Sequence, residues 1–154
     1  MAKQYWIGDI LVGSHDEEVV ELCGWVHRTR GSNKIRFLVL RDSTGSLQCV
    51  IKKGAVDDGC FDALSGALIE SSVRVTGKVI RTDREHGYEL SVSTGNVVGA
   101  VNPDSPFPIT ESAMAEADGG ETEFLLDNRH LYLRTSRMTK MLKIRSTVFG
   151  AVHS

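Results

Sequence analysis

Residues 24–49 read GWVHRTRGSNKIRFLVLRDSTGSLQC, and their alternating pattern predicts a β-hairpin around the turn DSTG. Successive side chains of a strand point to opposite faces, so Leu38 and Leu40 are expected to point into a core. Phe37 and Val39 then point away from that core, among arginines. An outward phenylalanine among arginines suggests a ligand-binding surface.

Strand patterns occur on both sides of this hairpin as well. A run of alternating apolar residues precedes it, with Gly24 as the expected bulge or bend. Two more runs follow it, separated by the polar loop TDREHG. The five predicted strands are 19–30, 35–42, 46–53, 72–81 and 88–99.

One helix is predicted between the third and the fourth strand. The segment DDGCFDALSGALIE, residues 57–70, changes to a helical period behind an N-cap at Asp57 or Asp58. Three strands, a helix and two strands is the order of a five-stranded OB-fold barrel, a mainly β fold. A strand-rich sandwich is the alternative, and the single helix favours the barrel. The apolar residues at helical spacing are Phe61, Leu64, Leu68 and Ile69.

The hairpin turn places a polar side chain near Phe37. With DSTG as the loop, Gln48 lies on the outer face, diagonal to Phe37 and about 7 Å away. OB barrels bind oligonucleotides or oligosaccharides on this face, where an aromatic ring can stack a base and an amide can hydrogen-bond to its edge. Arg28 and Arg30 of the first strand are then candidates to hold the adjoining phosphates. The predicted cross-strand pairs are Arg41–Ser46, Leu40–Leu47, Val39–Gln48 and Leu38–Cys49.

A structural interpretation of the same residues stands beside the functional one. An outward phenylalanine is often covered by a loop or by a neighbouring strand. Arginines on a strand face are often simply solvated.

The charges are segregated along the chain, although the net charge is only -2. Seven acidic residues and no basic ones lie in 103–127, together with all three prolines, and no carboxylate side chain follows in 128–154. We therefore expect a barrel domain over 1–102, an acidic hinge over 103–127 and a separate helical segment over 128–154. Between Glu21 and Asp42 the chain carries basic residues and no acid: Arg28, Arg30, Lys34, Arg36 and Arg41.

Several functional classes are disfavoured by the sequence. The apolar runs are far shorter than the roughly 18 residues of a membrane span, and no signal peptide is recognisable, so a cytoplasmic location is expected. Cys23, Cys49 and Cys60 form no CxxC pair, which favours reduced thiols over a disulfide framework or a metal site. No Ser/His/Asp or Cys/His arrangement indicates a catalytic residue.

Motifs along the whole chain resemble one enzyme family. GWVHRTR and FLVLRDSTGSLQCVI resemble the N-terminal anticodon-binding barrel of the class II aminoacyl-tRNA synthetases for aspartate, asparagine and lysine. GKVIRTDREHGYELSV is similar to that family's fourth and fifth strands, FPIT to its entry into the hinge, and EFLLDNRHLYLRT to its lead-in to the catalytic domain. FPI followed by LLDNRHLYLR is most similar to the asparaginyl type, with the aspartyl type second.

The resemblance implies a tRNA partner, bound through its anticodon loop. It implies that Phe37 stacks on the middle base of the anticodon and that Gln48 hydrogen-bonds that base. It also implies that Arg28 and Arg30 contact the anticodon backbone.

A further base of the anticodon is assigned to Glu89 by the same resemblance. Strand parity is compatible with this role, because Leu90 and Val92 would point inward. The alternative for Glu89 is a surface ion pair with Arg84 or Lys78.

The resemblance further implies a full-length, homodimeric enzyme that joins asparagine to its tRNA with ATP and magnesium. The FRxE-type and GxGxxR-type motifs of class II catalysis do not occur in this chain. The chain is therefore expected to recognise RNA without catalysing the reaction, and 128–154 to be a truncated start of the catalytic domain. Two alternatives are a free-standing OB-fold protein that binds single-stranded DNA, and a protein-interaction module that dimerises through its terminal helix.

Overall fold

The structure is a computed structural model in which residues 2–83, 87–109 and 122–153 are described. The chain divides into two compact units, Met1–Pro106 and Phe107–Ser154. The first unit contains the strands and two short helices. Its elements are β1 (Lys3–Gln4), α1 (Ile7–Leu11), β2 (Val19–Gly31), β3 (Ile35–Arg41), β4 (Ser46–Lys52), α2 (Asp58–Ser65), β5 (Ser72–Arg81) and β6 (Tyr88–Gly99).

Five strands close into a barrel because β2 is long enough to pair with two neighbours. Its first half is antiparallel to β5 and its second half is antiparallel to β3. From β3 the sheet continues through β4 and β6 to β5, with β4 and β6 parallel. This order, with α2 between β4 and β5, confirms the predicted five-stranded OB-fold barrel.

The register of the β3–β4 hairpin is the predicted one. Arg41 pairs with Ser46, and the predicted pairs that follow along the two strands are all present. The inward apolar side chains of both strands are fully buried in a core that Val20, Leu22 and Leu90 also line. Burial raises the pKa of the Cys49 thiol to about 12, which keeps it protonated and unreactive.

The irregularity in β2 lies at a different position from the predicted one. Gly24 keeps regular pairing with Val73, and the register shifts instead between Val26 and Arg28. Gly24 is nevertheless required, since a Cβ at this position would lie 2.5 Å from the carbonyl oxygen of Arg41. The glycine therefore permits the close crossing where β2 passes from β5 to β3.

The helix α2 is shorter than predicted. Its N-cap is Asp57, whose side chain accepts a hydrogen bond from the Cys60 backbone N–H at 3.1 Å. The helix ends at Ser65 because Gly66 disfavours helical backbone. Leu68 and Ile69 consequently lie outside the helix and are exposed, so assigning them to its apolar face was wrong.

The N-terminal segment forms a part of the core that was not predicted from the sequence. Ile7 and Ile10 of α1 are fully buried, and β1 pairs in parallel with β2. The α1 helix is anchored to the hairpin turn, where the Asp42 carboxylate accepts a hydrogen bond from the Ile7 N–H at 2.8 Å. A five-residue helix is too short to produce a recognisable helical period.

The second unit is helical in its described part. Its helices are α3 (Thr122–Asp127), α4 (Arg129–Tyr132) and α5 (Ser136–His153). Nearly half of the predicted hinge, residues 110–121, lies outside the described residues. No helix in the described ranges is long and apolar enough to cross a membrane. The large apolar side chains of α5 that are exposed are Met141, Leu142, Ile144, Val148, Phe149 and Val152.

We predict that Asp42→Ala lowers the free energy of unfolding by about 2–3 kcal/mol, because the carboxylate accepts four hydrogen bonds from α1 and the turn. Urea denaturation measures the change. Asp62→Ala, which removes an exposed carboxylate from α2, is the matched control and should leave the midpoint nearly unchanged. An equal effect of both substitutions would show that the turn does not anchor α1.

Candidate nucleic-acid interface

The predicted site residues meet on the outer face of the barrel, on four adjacent strands. Arg30 of β2 pairs with Phe37 of β3, and Gln48 of β4 pairs with Glu89 of β6. Gln48 also pairs with Val39, two residues from Phe37. We call the surface formed by Arg28, Arg30, Phe37, Gln48 and Glu89 the candidate face.

The bulge in β2 places both arginines on the candidate face. Val26 is fully buried, so strict alternation would also turn Arg28 and Arg30 towards the barrel interior. The extra residue at the bulge is His27, and it reverses the parity of the strand beyond it. Both arginine side chains are consequently exposed, with Arg30 opposite Phe37 and Arg28 opposite Val39.

His27 itself adds no positive charge at neutral pH. Burial lowers the pKa of this imidazole, and the nearby positive charge of Arg41 lowers it further. The bulge therefore determines which face the side chains of β2 point to, and Arg28 and Arg30 supply the positive charge.

Phe37 lies outside the core, as strand parity predicts, but it is half-buried and not exposed. The guanidinium carbon of Arg30 lies 5.5 Å from the centroid of the ring, in a cation–π contact. The arginine thus shields from water a ring that strand parity alone would leave exposed.

Gln48 is held between two charged side chains. Arg30 donates a hydrogen bond from Nη2 to the Gln48 Oε1 at 3.0 Å. The Gln48 Nε2 donates in turn to Glu89 Oε1 at 2.8 Å. Stacking surface, amide and carboxylate are therefore part of one connected arrangement.

The alternative for Glu89 was a surface ion pair with Arg84 or Lys78. Its carboxylate accepts the hydrogen bond from Gln48, and the ion pair formed by Lys78 is with Glu17. Arg84, the other suggested ion-pair partner, lies outside the described residues. Glu89 is therefore part of the candidate face by geometry as well as by parity.

One further cation lies on the candidate face and was not singled out from the sequence. The outward residues of β4 are Ser46, Gln48, Val50 and Lys52, and Lys52 is exposed at the end of the strand. Strand alternation from Gln48 would have identified it. Lys52 pairs with Ile35, two residues from Phe37 on β3, and so extends the basic surface along the strands beyond Phe37.

Known proteins match this sequence and this fold. Residues 20–98 match the tRNA anticodon family, described as an OB-fold nucleic acid binding domain. The chain is 40% identical over 145 residues to the asparagine–tRNA ligase of Thermoplasma acidophilum, covering 93% of this chain and 31% of the relative. It is 37% identical over 143 residues to the asparagine–tRNA ligase of Koribacter versatilis, with 92% and 31% covered.

A solved structure agrees with these relatives. Asparaginyl-tRNA synthetase from Pyrococcus horikoshii, complexed with asparaginyl-adenylate, superposes with a TM-score of 0.82 at 31% identity, over 99% of this chain and 34% of that one. The chain thus spans about a third of the length of the curated relatives it matches. Because the family match covers the barrel and all five residues of the candidate face, the chain belongs to the tRNA anticodon-binding family of OB-fold nucleic acid binding domains, homologous to the N-terminal part of asparagine–tRNA ligases.

Proposed function

We propose that the candidate face recognises the anticodon loop of tRNA, as the N-terminal domain of an enzyme that attaches asparagine to that tRNA. The observation that carries the proposal is the row Arg30, Phe37, Gln48 and Glu89 on adjacent strands of the barrel. It combines a stacking surface, hydrogen-bonding groups and positive charge within the reach of one nucleotide. Membership of the anticodon-binding family and the names of the relatives support the same role.

Phe37 supplies the stacking surface for the middle base of the anticodon. Stacking of a base on an aromatic side chain contributes about 1–3 kcal/mol and is compatible with any base. In the free protein Arg30 covers the ring, so the entering base takes the place of the guanidinium. The guanidinium leaves the face of the ring but keeps its hydrogen bond to Gln48, and its remaining N–H groups bind the adjoining phosphate.

Gln48 supplies the sequence preference at this base. Its amide offers one donor and one acceptor at a base edge, which stacking on Phe37 cannot provide. Because asparagine codons carry adenosine at the middle position, the complementary anticodon base is uridine. The preference expected of Gln48 is therefore for uridine at the base stacked on Phe37.

Arg28 and Lys52 hold the backbone on either side of the stacked base. Contacts to phosphates fix the register of a nucleic acid and carry no sequence information. These two cations therefore position every anticodon loop alike, whereas Gln48 discriminates between loops.

The rest of the proposed enzyme reaction requires ATP and magnesium. Within the described residues, no three His, Cys, Asp or Glu side chains form a group that could hold a metal ion. We expect ATP and magnesium to bind in the part of the ligase that the relatives have beyond the matched region.

The exposed apolar side chains of α5 support burial of this helix in a homodimeric catalytic domain. The expected location of the enzyme is the cytoplasm.

We predict that Phe37→Ala weakens binding of an asparagine anticodon stem-loop by about 1–3 kcal/mol, because the stacking surface is lost. Fluorescence anisotropy with the labelled stem-loop measures the affinity. Phe149→Ala is a matched control, since Phe149 is an exposed ring on α5 with Arg145 at 5.4 Å from its centroid. Unchanged RNA affinity in Phe37→Ala, together with a large loss of stability, would make Phe37 a structural residue only.

A second pair of substitutions separates positioning from discrimination. Arg28→Ala should weaken binding of all stem-loops to a similar degree and reduce the slope of log K against log salt by about 0.7, because one phosphate contact is lost. Gln48→Ala should instead reduce the preference for uridine at the middle base. Titrations at several salt concentrations, with Arg74→Ala of β5 as the control, measure both effects.

The outcomes that contradict this division are specific. Equal weakening of all stem-loops by Gln48→Ala would remove its role in discrimination. Equal affinity of the unmodified chain for the stem-loop and for a DNA oligomer of the same length would favour a general single-strand-binding protein instead.

A further inference from the structure

The hydrogen bonds around Gln48 leave its amide only one orientation. The guanidinium of Arg30 can only donate hydrogen bonds, so the atom facing it at 3.0 Å must be the amide oxygen. An ionised carboxylate can only accept them, so the atom facing Glu89 at 2.8 Å must be the amide nitrogen. A flipped amide would place N–H against N–H on one side and oxygen against oxygen on the other.

Strand pairing makes this arrangement part of the fold. Gln48 and Glu89 are direct partners in the parallel pairing of β4 with β6, and both side chains are partly buried. The contact is therefore present before any RNA binds, and it engages one of the two oxygens of the Glu89 carboxylate.

We propose that Glu89 is a positioning residue that acts through Gln48: it fixes the orientation of the Gln48 amide and so sets which pyrimidine the candidate face accepts. This inference rests on the proposed function and differs from the expectation that Glu89 reads a second base of the anticodon. Arg30 supports the same orientation from the other side of the amide.

The chemistry of the pyrimidines explains why orientation matters. With one lone pair of Oε1 and one hydrogen of Nε2 engaged by the protein, one acceptor and one donor remain for the base. Uracil offers an N3–H donor beside the O4 acceptor, whereas cytosine offers an N3 acceptor beside the N4 amino donor. A base held in place by stacking therefore meets two matched contacts if it is uridine and two mismatched contacts if it is cytidine. The flipped amide would reverse this preference.

Glu89→Gln tests the proposal with a side chain of nearly the same size. The new amide can present either its oxygen or its nitrogen to Gln48, so the orientation of Gln48 is no longer fixed. We expect the Kd for the stem-loop with cytidine at the middle position, divided by the Kd for the one with uridine, to fall about tenfold. A change of this size corresponds to the loss of one good contact to the base. Glu21→Gln is the matched control. It neutralises the carboxylate that forms an ion pair with Arg74, and it should leave this ratio of Kd values unchanged.

A double-mutant cycle separates positioning from direct reading. If Glu89 acts through Gln48, adding Glu89→Gln to Gln48→Ala produces no further change in base preference. If Glu89 contacts a base itself, the two effects add, and the proposal is overturned.

The free protein provides a test that does not need RNA. In the unmodified chain, the side-chain amide protons of Gln48 should give two sharp NMR signals, one of them shifted by the carboxylate, and this shift should disappear in Glu89→Gln but not in Glu21→Gln. Identical Gln48 signals and identical base preference in both variants would overturn the proposal and leave the proposed function standing. A chain with no preference at the middle base in any form would overturn the proposed function, and the inference with it.

Discussion

The register of the β3–β4 hairpin determines what both faces of the barrel carry. Because side chains alternate with a period of two, a slip of one residue would expose Leu38 and Leu40 and bury Phe37. The Asp42 carboxylate opposes such a slip, since it binds the backbone N–H groups of Thr44 and Gly45 within the turn. The same carboxylate binds α1, so the turn that sets the register also attaches the helix that completes the core.

The bulge in β2 is the second constraint, and it adds charge to the surface that the hairpin creates. Upstream of it the strand buries Val20, Leu22 and Val26, and downstream it turns Arg28 and Arg30 outward. One strand thus contributes to the core in its first half and to the candidate face in its second half. Since an inserted residue is all that separates the two, the position of His27 is as important for the surface as the identity of the arginines.

Strand alternation was sufficient to predict most of the barrel and the positions of Phe37 and Gln48, because both lie in a hairpin with a clear period and a short turn. It could not place the bulge, since alternation from Val26 puts Arg28 inside and Gly24 was the more obvious irregularity. It also could not predict that Arg30 covers Phe37 or that Glu89 binds Gln48. The Glu89–Gln48 contact joins β4 and β6, which are distant in the sequence, and the Arg30–Phe37 contact depends on the register shift that turns Arg30 outward. The α1 helix was missed because five residues carry no measurable period.

The central claim is that one connected group of side chains on β2, β3, β4 and β6 binds a single anticodon base and the backbone beside it. The most direct measurement is NMR chemical-shift mapping of the ¹⁵N-labelled chain during titration with an asparagine anticodon stem-loop. We expect the largest changes at the Gln48 side-chain amide, at the Arg30 guanidinium and at the backbone of Phe37, with little change in β5. Changes concentrated on β5 or α2, with the Gln48 amide unaffected at saturation, would contradict the account.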